Sequence, residues 1–179
     1  KERLEPSAID NLKAFRKMNI VKQASMHIIA SILSERDLAP SRRLFLSLDE
    51  DGDGLLTIPE IEQRISEDPS LAAAYPDVSD ILRHAGLADD NRKKAFSYTE
   101  FLAATFNREQ CLTDDVCRVV FRCFDKNGDG EVSMSELSSG HLLSESSLEV
   151  LGTNLEDIDG NGDLHIDFEE FQKMLREGS

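Results

Sequence analysis

Four short acidic segments contain the residues of this sequence whose types and spacing could do chemistry. In each segment Asp or Asn recurs at alternate positions, an apolar residue follows, and a Glu comes four residues after it. The segments are Asp49–Glu60 (DEDGDGLLTIPE), Asp89–Glu100 (DDNRKKAFSYTE), Asp125–Glu136 (DKNGDGEVSMSE) and Asp159–Glu170 (DGNGDLHIDFEE). Alternate residues of a tight loop point inward. Their oxygens would therefore converge on a hard divalent cation such as calcium, which takes about six to eight oxygen ligands.

The spacing assigns a role to each position of these loops, which we call loops 1 to 4 and number from 1 to 12. Positions 1, 3, 5, 7, 9 and 12 are the ligand positions, and position 6 is normally Gly because the chain turns sharply there. Position 8 is apolar because it pairs, in a short strand, with its counterpart in the neighbouring loop. That position is held by Leu56, Phe96, Val132 and Ile166.

Three of the loops are predicted to bind calcium, one ion each. The predicted ligands are Asp49, Asp51, Asp53, Leu55, Thr57 and Glu60 in loop 1, Asp125, Asn127, Asp129, Glu131, Ser133 and Glu136 in loop 3, and Asp159, Asn161, Asp163, His165, Asp167 and Glu170 in loop 4. The closing Glu at position 12 supplies a bidentate carboxylate that completes the coordination sphere.

Loops 2 and 4 depart from the pattern. Loop 2 has Lys93 and Lys94 at positions 5 and 6. Because two ammonium groups replace a ligand and the turn Gly, we expect this loop to hold no ion and to serve as the strand partner of loop 1.

Loop 4 has Leu164 at position 6, and a left-handed backbone there costs about 1–3 kcal/mol, so we expect weaker binding. A register beginning at Asp157 would place Gly162 at position 6. It would also place Phe168 at position 12 and lose the closing carboxylate, so the Asp159 register is preferred.

These loops resemble those of the EF-hand family. The resemblance implies an all-α fold with four EF-hands in two lobes and short paired strands between the loops. We expect a long N-terminal amphipathic helix in front of them. The expected domains are an arm at residues 1–37, an N-terminal lobe at 38–108 and a C-terminal lobe at 109–179.

The N-terminal arm is predicted to form one helix of about 28 residues, because no Gly or Pro occurs between Ser7 and Pro40. Its apolar residues recur every three or four positions and form one face: Ile9, Leu12, Phe15, Met18, Val21, Ala24, Ile28 and Ile32. Basic residues flank that face: Lys13, Arg16, Lys17 and Lys22. Such a helix is a typical occupant of the groove of a calcium sensor, so we expect the segment from Ile9 to Ile32 to be a built-in partner. The alternative is an extra helix packed permanently on the first lobe.

The arm carries a second resemblance. Residues 12–38 (LKAFRKMNIVKQASMHIIASILSERDL) resemble the junction that precedes the calmodulin-like domain of calcium-dependent protein kinases in plants and apicomplexan parasites. The matching positions are Leu12, Lys13, Phe15, Met18, Asn19, Lys22 and the run from Ile28 to Leu33. The resemblance implies an autoinhibitory and regulatory helix that calcium rearranges to control the serine/threonine kinase domain of the parent chain.

Several functions are disfavoured by the sequence. It lacks a Gly-rich phosphate loop, an HRD triplet and a DFG triplet, so we expect no phosphotransfer activity from this chain. With 20 Lys and Arg against 35 Asp and Glu, the net charge of -15 repels nucleic acid and anionic lipid. A free-standing calmodulin-like sensor or buffer that binds other proteins remains the alternative function.

The location is expected to be intracellular and cytoplasmic. The three cysteines are an odd number without metal-binding spacing, and no export signal or membrane-spanning stretch is visible. Lys1 is not an initiator Met, so we expect a fragment whose parent could carry a membrane anchor.

Overall fold

The computed structural model describes residues 2–77, 95–140, 143 and 151–177, with the side chains of residues 151–154 excluded. The chain is mainly helical in these ranges, as the predicted all-α class requires. The helices are α1 Pro6–Lys17, α2 Ile20–Ile32, α3 Glu35–Leu48, α4 Ile58–Ser66, α5 Pro69–Ala74, α6 Tyr98–Thr105, α7 Arg108–Cys111, α8 Asp114–Phe124, α9 Met134–Ser139, α10 Leu151–Ile158 and α11 Phe168–Arg176. None of them combines the length and hydropathy that crossing a bilayer requires.

Short strands join the loops in pairs. The strands are β1 Leu55–Thr57, β2 Ala95–Ser97, β3 Glu131–Ser133 and β4 His165–Asp167. In the antiparallel pair of β1 and β2, Leu56 lies opposite Phe96. In the pair of β3 and β4, Val132 lies opposite Ile166. The prediction that position 8 pairs across neighbouring loops is therefore confirmed.

The packing divides the chain into two units, each of which has its own core. The first comprises the described residues within 1–17 and 33–106, and the second comprises those within 18–32 and 107–177. In the first, the Phe45 ring on α3 makes edge contacts with Tyr98 and Phe101 on α6, with centroid distances of 5.2 and 5.3 Å. In the second, Phe121 on α8 contacts Phe168 and Phe171 on α11 at 5.5 and 5.3 Å. Phe45 and Phe121 stand at the same distance before loops 1 and 3, and their ring partners stand at equivalent positions of loops 2 and 4, so the two cores are built alike.

The arm forms two helices, so the prediction of one continuous helix is wrong. α1 buries Ile9, Leu12 and Phe15, which are at most 1% exposed, and packs on α6 within the first unit. α2 buries Val21, Met26 and other residues, and packs on α8, α10 and α11 within the second unit. The predicted apolar face is thus divided between two cores.

Local hydrogen bonds at Asn19 explain the break. The Asn19 Oδ1 atom accepts from the backbone N–H of Lys22 at 2.8 Å, which is the bond of a helix N-cap. The side-chain amide of Gln23 donates to the carbonyl of Met18 at 3.0 Å. Asn is among the best N-cap residues, so a new helix can start here without Gly or Pro.

Lys22 also differs from the expectation that it flanks the apolar face. Its side chain is buried, with 5% of the residue exposed, and Nζ donates to the carbonyl of Glu177 at 2.5 Å. Burial removes water from the ammonium group and lowers the pKa of Lys22 to about 8. The positive charge of Arg108 lowers this pKa further, and Glu177 opposes the shift.

Replacing Lys22 should change how stability depends on pH. The pKa of Lys22 is about 8 in the folded chain and has its ordinary value of 10.5 in the unfolded chain. Below pH 8 the buried ammonium group therefore lowers the free energy of unfolding by its full amount, and this destabilisation disappears as pH rises from 8 to 10.5. Relative to Lys22→Met, the wild-type chain should therefore gain stability across that window, measured by urea unfolding at a series of pH values. Lys17→Met, at an exposed position of α1, is the control. A pH-independent difference between wild type and Lys22→Met would contradict the burial argument.

Candidate metal sites

Loops 1, 3 and 4 are built on the same hydrogen bonds from the backbone to the first carboxylate. In each loop the position-1 aspartate accepts from the N–H of position 4 with one oxygen and from the N–H of position 6 with the other. The groups are Asp49 with Gly52 and Gly54, Asp125 with Gly128 and Gly130, and Asp159 with Gly162 and Leu164, at distances of 2.8–3.1 Å. This first carboxylate therefore fixes the turn of the loop.

The side chains at positions 3 and 5 continue the pattern. Each side-chain oxygen accepts a hydrogen bond from the backbone N–H two residues later. The side chain at position 3 therefore accepts from the N–H of position 5, and the side chain at position 5 accepts from the N–H of position 7. The acceptors are Asp51 and Asp53, Asn127 and Asp129, and Asn161 and Asp163. In loop 1, carboxylate oxygens of Asp49, Asp51 and Asp53 lie within 4.8 Å of one another. This acidic loop could hold an ion.

The closing glutamate spans its loop. One oxygen accepts from the N–H of position 2 and the other from the N–H of position 9, at 2.8–3.2 Å. Position 9 is also the N-cap of the helix that leaves the loop, and the glutamate is its third residue. The resulting capping boxes are Thr57 with Glu60, Ser97 with Glu100, Ser133 with Glu136 and Asp167 with Glu170. The spacing of these pairs in the sequence could have predicted the boxes.

The loop environment favours charged carboxylates. Burial alone raises the pKa of Glu136, but hydrogen bonds from the N–H groups of Ser133, Asn127 and Lys126 outweigh it and hold that pKa below its ordinary value. At Asp159 the same balance of desolvation and backbone donors also lowers the pKa. Ionised carboxylates, amide oxygens and carbonyls are the hard donors that calcium prefers, so these residues fit such an ion.

Leu164 adopts the conformation that its loop position predicts. Its φ of 66° is the one positive value at a residue other than Gly in the described ranges. The equivalent residues are Gly54 and Gly130, with φ of 82° and 91°. Since the Leu164 N–H also donates to Asp159, the hydrogen bonds support the register that begins at Asp159. The side chain is 66% exposed, so little packing offsets the backbone strain.

All of the predicted ligands in loops 1, 3 and 4 lie within the described residues. In loop 1 the structure brings Asp49, Asp51 and Asp53 together, and the other predicted ligands remain predictions. In loop 2, the segment of residues 89–94 lies outside the described residues. The expectation about Lys93 and Lys94 therefore stays a prediction.

Comparisons with known proteins agree with this geometry. A family profile described as an EF-hand domain pair matches residues 38–140. Calcium-dependent protein kinase 5 of Plasmodium falciparum is 30% identical over 178 residues, which cover 96% of this chain and 30% of the kinase. Calcium-dependent protein kinase 17 of Arabidopsis thaliana is 27% identical over 184 residues, which cover 98% of this chain and 33% of the kinase. Calcium-dependent protein kinase 3 of Oryza sativa subsp. japonica is 30% identical over 171 residues, which cover 94% of this chain and 30% of the kinase.

The chain thus spans about a third of the length of these relatives. A crystal structure of a C-terminal domain aligns with 96% of this chain at 24% identity, with a TM-score of 0.43.

Replacing Leu164 by Gly should tighten calcium binding at loop 4, because it removes the cost of a Cβ at positive φ and leaves the proposed ligands in place. It should also raise the free energy of unfolding by about 1 kcal/mol. Leu164→Ala is the matched control, since it shortens the side chain but keeps the Cβ, and Glu170→Gln should weaken binding. Calorimetric titration and urea unfolding measure the two effects. Equal calcium affinity in Leu164→Gly and Leu164→Ala would contradict the strain argument.

Proposed function

Because this chain belongs to the EF-hand family of calcium-binding proteins, we propose that it is the calcium-sensing regulatory region of a calcium-dependent serine/threonine protein kinase. One observation carries the proposal: both arm helices pack on helices that border the loops. α1 packs on α6, which begins within loop 2, whereas α2 packs on α8 before loop 3 and on α11, which begins within loop 4. A change at the loops can therefore reach the arm through direct contacts.

In this proposal the predicted ligand sets of loops 1, 3 and 4 hold calcium, and loop 2 holds none. The carboxylates within each of these loops repel one another once ionised, and bound calcium supplies the positive charge that offsets this repulsion. Hydrogen bonds from backbone N–H groups of the same loop hold the side chains at positions 1, 3 and 5 in place. Three or four acidic ligands on such a loop correspond to dissociation constants of about 0.1–10 micromolar, the range of calcium sensors.

The closing glutamates connect the loops to the helices. Glu60, Glu136 and Glu170 each occupy the third position of the helix that leaves their loop, with both carboxylate oxygens held by backbone N–H groups. A ligand bond to such a carboxylate acts on the first turn of that helix. For Glu170 this helix is α11, on which α2 packs directly. This part of the arm is therefore one packing contact away from a proposed ligand.

The arm is the first partner in this proposal, and the kinase domain of the parent chain is the second. The chain itself would carry no phosphotransfer activity, and it would act by changing what the arm presents to the kinase. The extent of the alignments, which cover 94–98% of the chain, supports this reading over a free-standing sensor or buffer. An intracellular, cytoplasmic location fits the three free cysteines.

The chain should bind three calcium ions at micromolar concentration, because loop 2 places Lys93 and Lys94 where a ligand and the turn Gly belong. Isothermal titration calorimetry of the full chain measures the stoichiometry, and Glu60→Gln should weaken binding at loop 1. Four ions bound at micromolar calcium would contradict the assignment of loop 2.

Truncating the buried face of α1 should lower the apparent calcium affinity. Leu12 and Phe15 are at most 1% exposed, and if calcium binding favours the arrangement in which the units hold the arm, the coupling is reciprocal. The double variant Leu12→Ala/Phe15→Ala should therefore need several-fold more calcium for half saturation in a calorimetric titration. Ile32→Ala, at a position of α2 that is 46% exposed, is the control. Unchanged affinity in the double variant would favour the free-standing sensor.

A further inference from the structure

Arg16, in the last turn of α1, contacts two residues at the end of loop 2, Ala95 and Phe96. Its Nη2 atom donates to the backbone carbonyl of Ala95 at 2.8 Å. Its guanidinium carbon lies 4.1 Å from the centre of the Phe96 ring, which is a cation–π distance. Burial lowers the pKa of Arg16, and the negative charge of Glu100 opposes that shift.

These three groups have defined places in the loop pattern. Ala95 stands at position 7, whose backbone carbonyl is a calcium ligand in a complete loop, and Glu100 stands at position 12, which supplies the closing carboxylate. Phe96 is the position-8 residue that pairs with Leu56 of loop 1. A positive group from the same chain therefore binds the backbone oxygen of loop 2 that stands at a calcium-ligand position.

We propose that Arg16 is the resident cation of loop 2, binding the position-7 carbonyl in place of an ion and thereby holding β2 as the strand partner of loop 1. The inference rests on the proposed calcium binding at loop 1. An arginine suits this role because it stays protonated at physiological pH, donates through a planar fork, and stacks on an aromatic ring. The positive charge of Arg16 is consequently present at every calcium concentration.

The sequence of loop 2 is consistent with this assignment. Loop 2 has Lys93 at position 5, where complete loops have a side chain with an oxygen ligand. A loop that lacks an ion loses the interaction that orders its position-7 carbonyl. The hydrogen bond from Arg16 replaces that interaction with one that depends on α1.

A consequence for loop 1 follows from the strand pair. The residues of β1 hold positions 7 to 9 of loop 1, and they are paired with Ala95, Phe96 and Ser97 of β2. If Arg16 orders β2, then loss of its charge loosens the partner strand and weakens calcium binding at loop 1. Loop 3 should be unaffected, because its partner strand is β4 in the other unit.

Two glycine amides allow the two loops to be followed separately in the full chain. The N–H of Gly54 donates to Asp49 at 3.1 Å, and the N–H of Gly130 donates to Asp125 at 3.0 Å. Both amides report on a proposed ligand at position 1 of their own loop. Calcium titrations of the 15N-labelled chain, followed by NMR at these two resonances, therefore give one midpoint for each loop.

The main variant is Arg16→Met, which retains the aliphatic stem and removes the cation. The calcium midpoint at Gly54 should rise about fivefold or more, while the midpoint at Gly130 stays unchanged. Arg16→Lys restores the charge and should recover most of the loss, although it lacks the fork. Lys17→Met, which removes an exposed positive charge from the neighbouring position, is the matched control and should leave both midpoints in place.

The outcomes separate this inference from the proposed function. An unchanged Gly54 midpoint in Arg16→Met, or an equal shift at Gly130, would overturn the role of Arg16. Failure of Arg16→Lys to restore the midpoint would also overturn it, because the cation would then not be what loop 1 senses. Absence of any calcium response at Gly54 in the wild-type chain would instead overturn the proposed calcium site in loop 1.

Discussion

Backbone N–H groups inside a tight loop have no helix or strand partner, and acidic side chains provide the acceptors that these loops need. In loop 1 the Asp49 carboxylate binds the N–H groups of Gly52 and Gly54, and the same arrangement recurs in loops 3 and 4. Because unpaired backbone donors are costly, the acidic residues are required by the local fold as well as by the ion they are proposed to bind. The strand pairs and the helix starts then follow from loops whose shape is already set.

The closing glutamate combines two roles that are usually considered separately. As a capping-box residue, Glu136 stabilises the start of α9, and as a proposed ligand it belongs to the metal site of loop 3. Its two oxygens accept from Lys126 and Asn127 on one side and from Ser133 on the other. A ligand bond would therefore have to share or replace hydrogen bonds that also begin a helix. This overlap gives a physical reason why events in the loop and the position of the helix are coupled.

Features set by local spacing could be predicted from the sequence, whereas features that depend on distant partners could not. The pairing of Leu56 with Phe96 and the positive φ of Leu164 both follow from position within a twelve-residue pattern. Apolar periodicity does not indicate the break at Asn19, because the periodicity continues through that residue. The break depends instead on a hydrogen bond from the backbone to the Asn19 side chain. The burial of Lys22 against the carbonyl of Glu177 depends on a residue at the far end of the chain. No local pattern in the sequence indicates that contact.

The division of the arm between two cores has a consequence for how this protein can be assembled and cut. The chain changes unit after residues 17, 32 and 106, so neither core is formed by one continuous stretch of sequence. During synthesis α1 emerges before α6, on which it packs, and α2 must wait for α8 and α11. Excising residues 33–106 as a fragment would remove α1 from its core, and a protease cut near residue 18 would separate α1 from the rest of the first unit while leaving the second unit on one fragment. Deletions or recombination within the arm would therefore damage a core that begins many residues away.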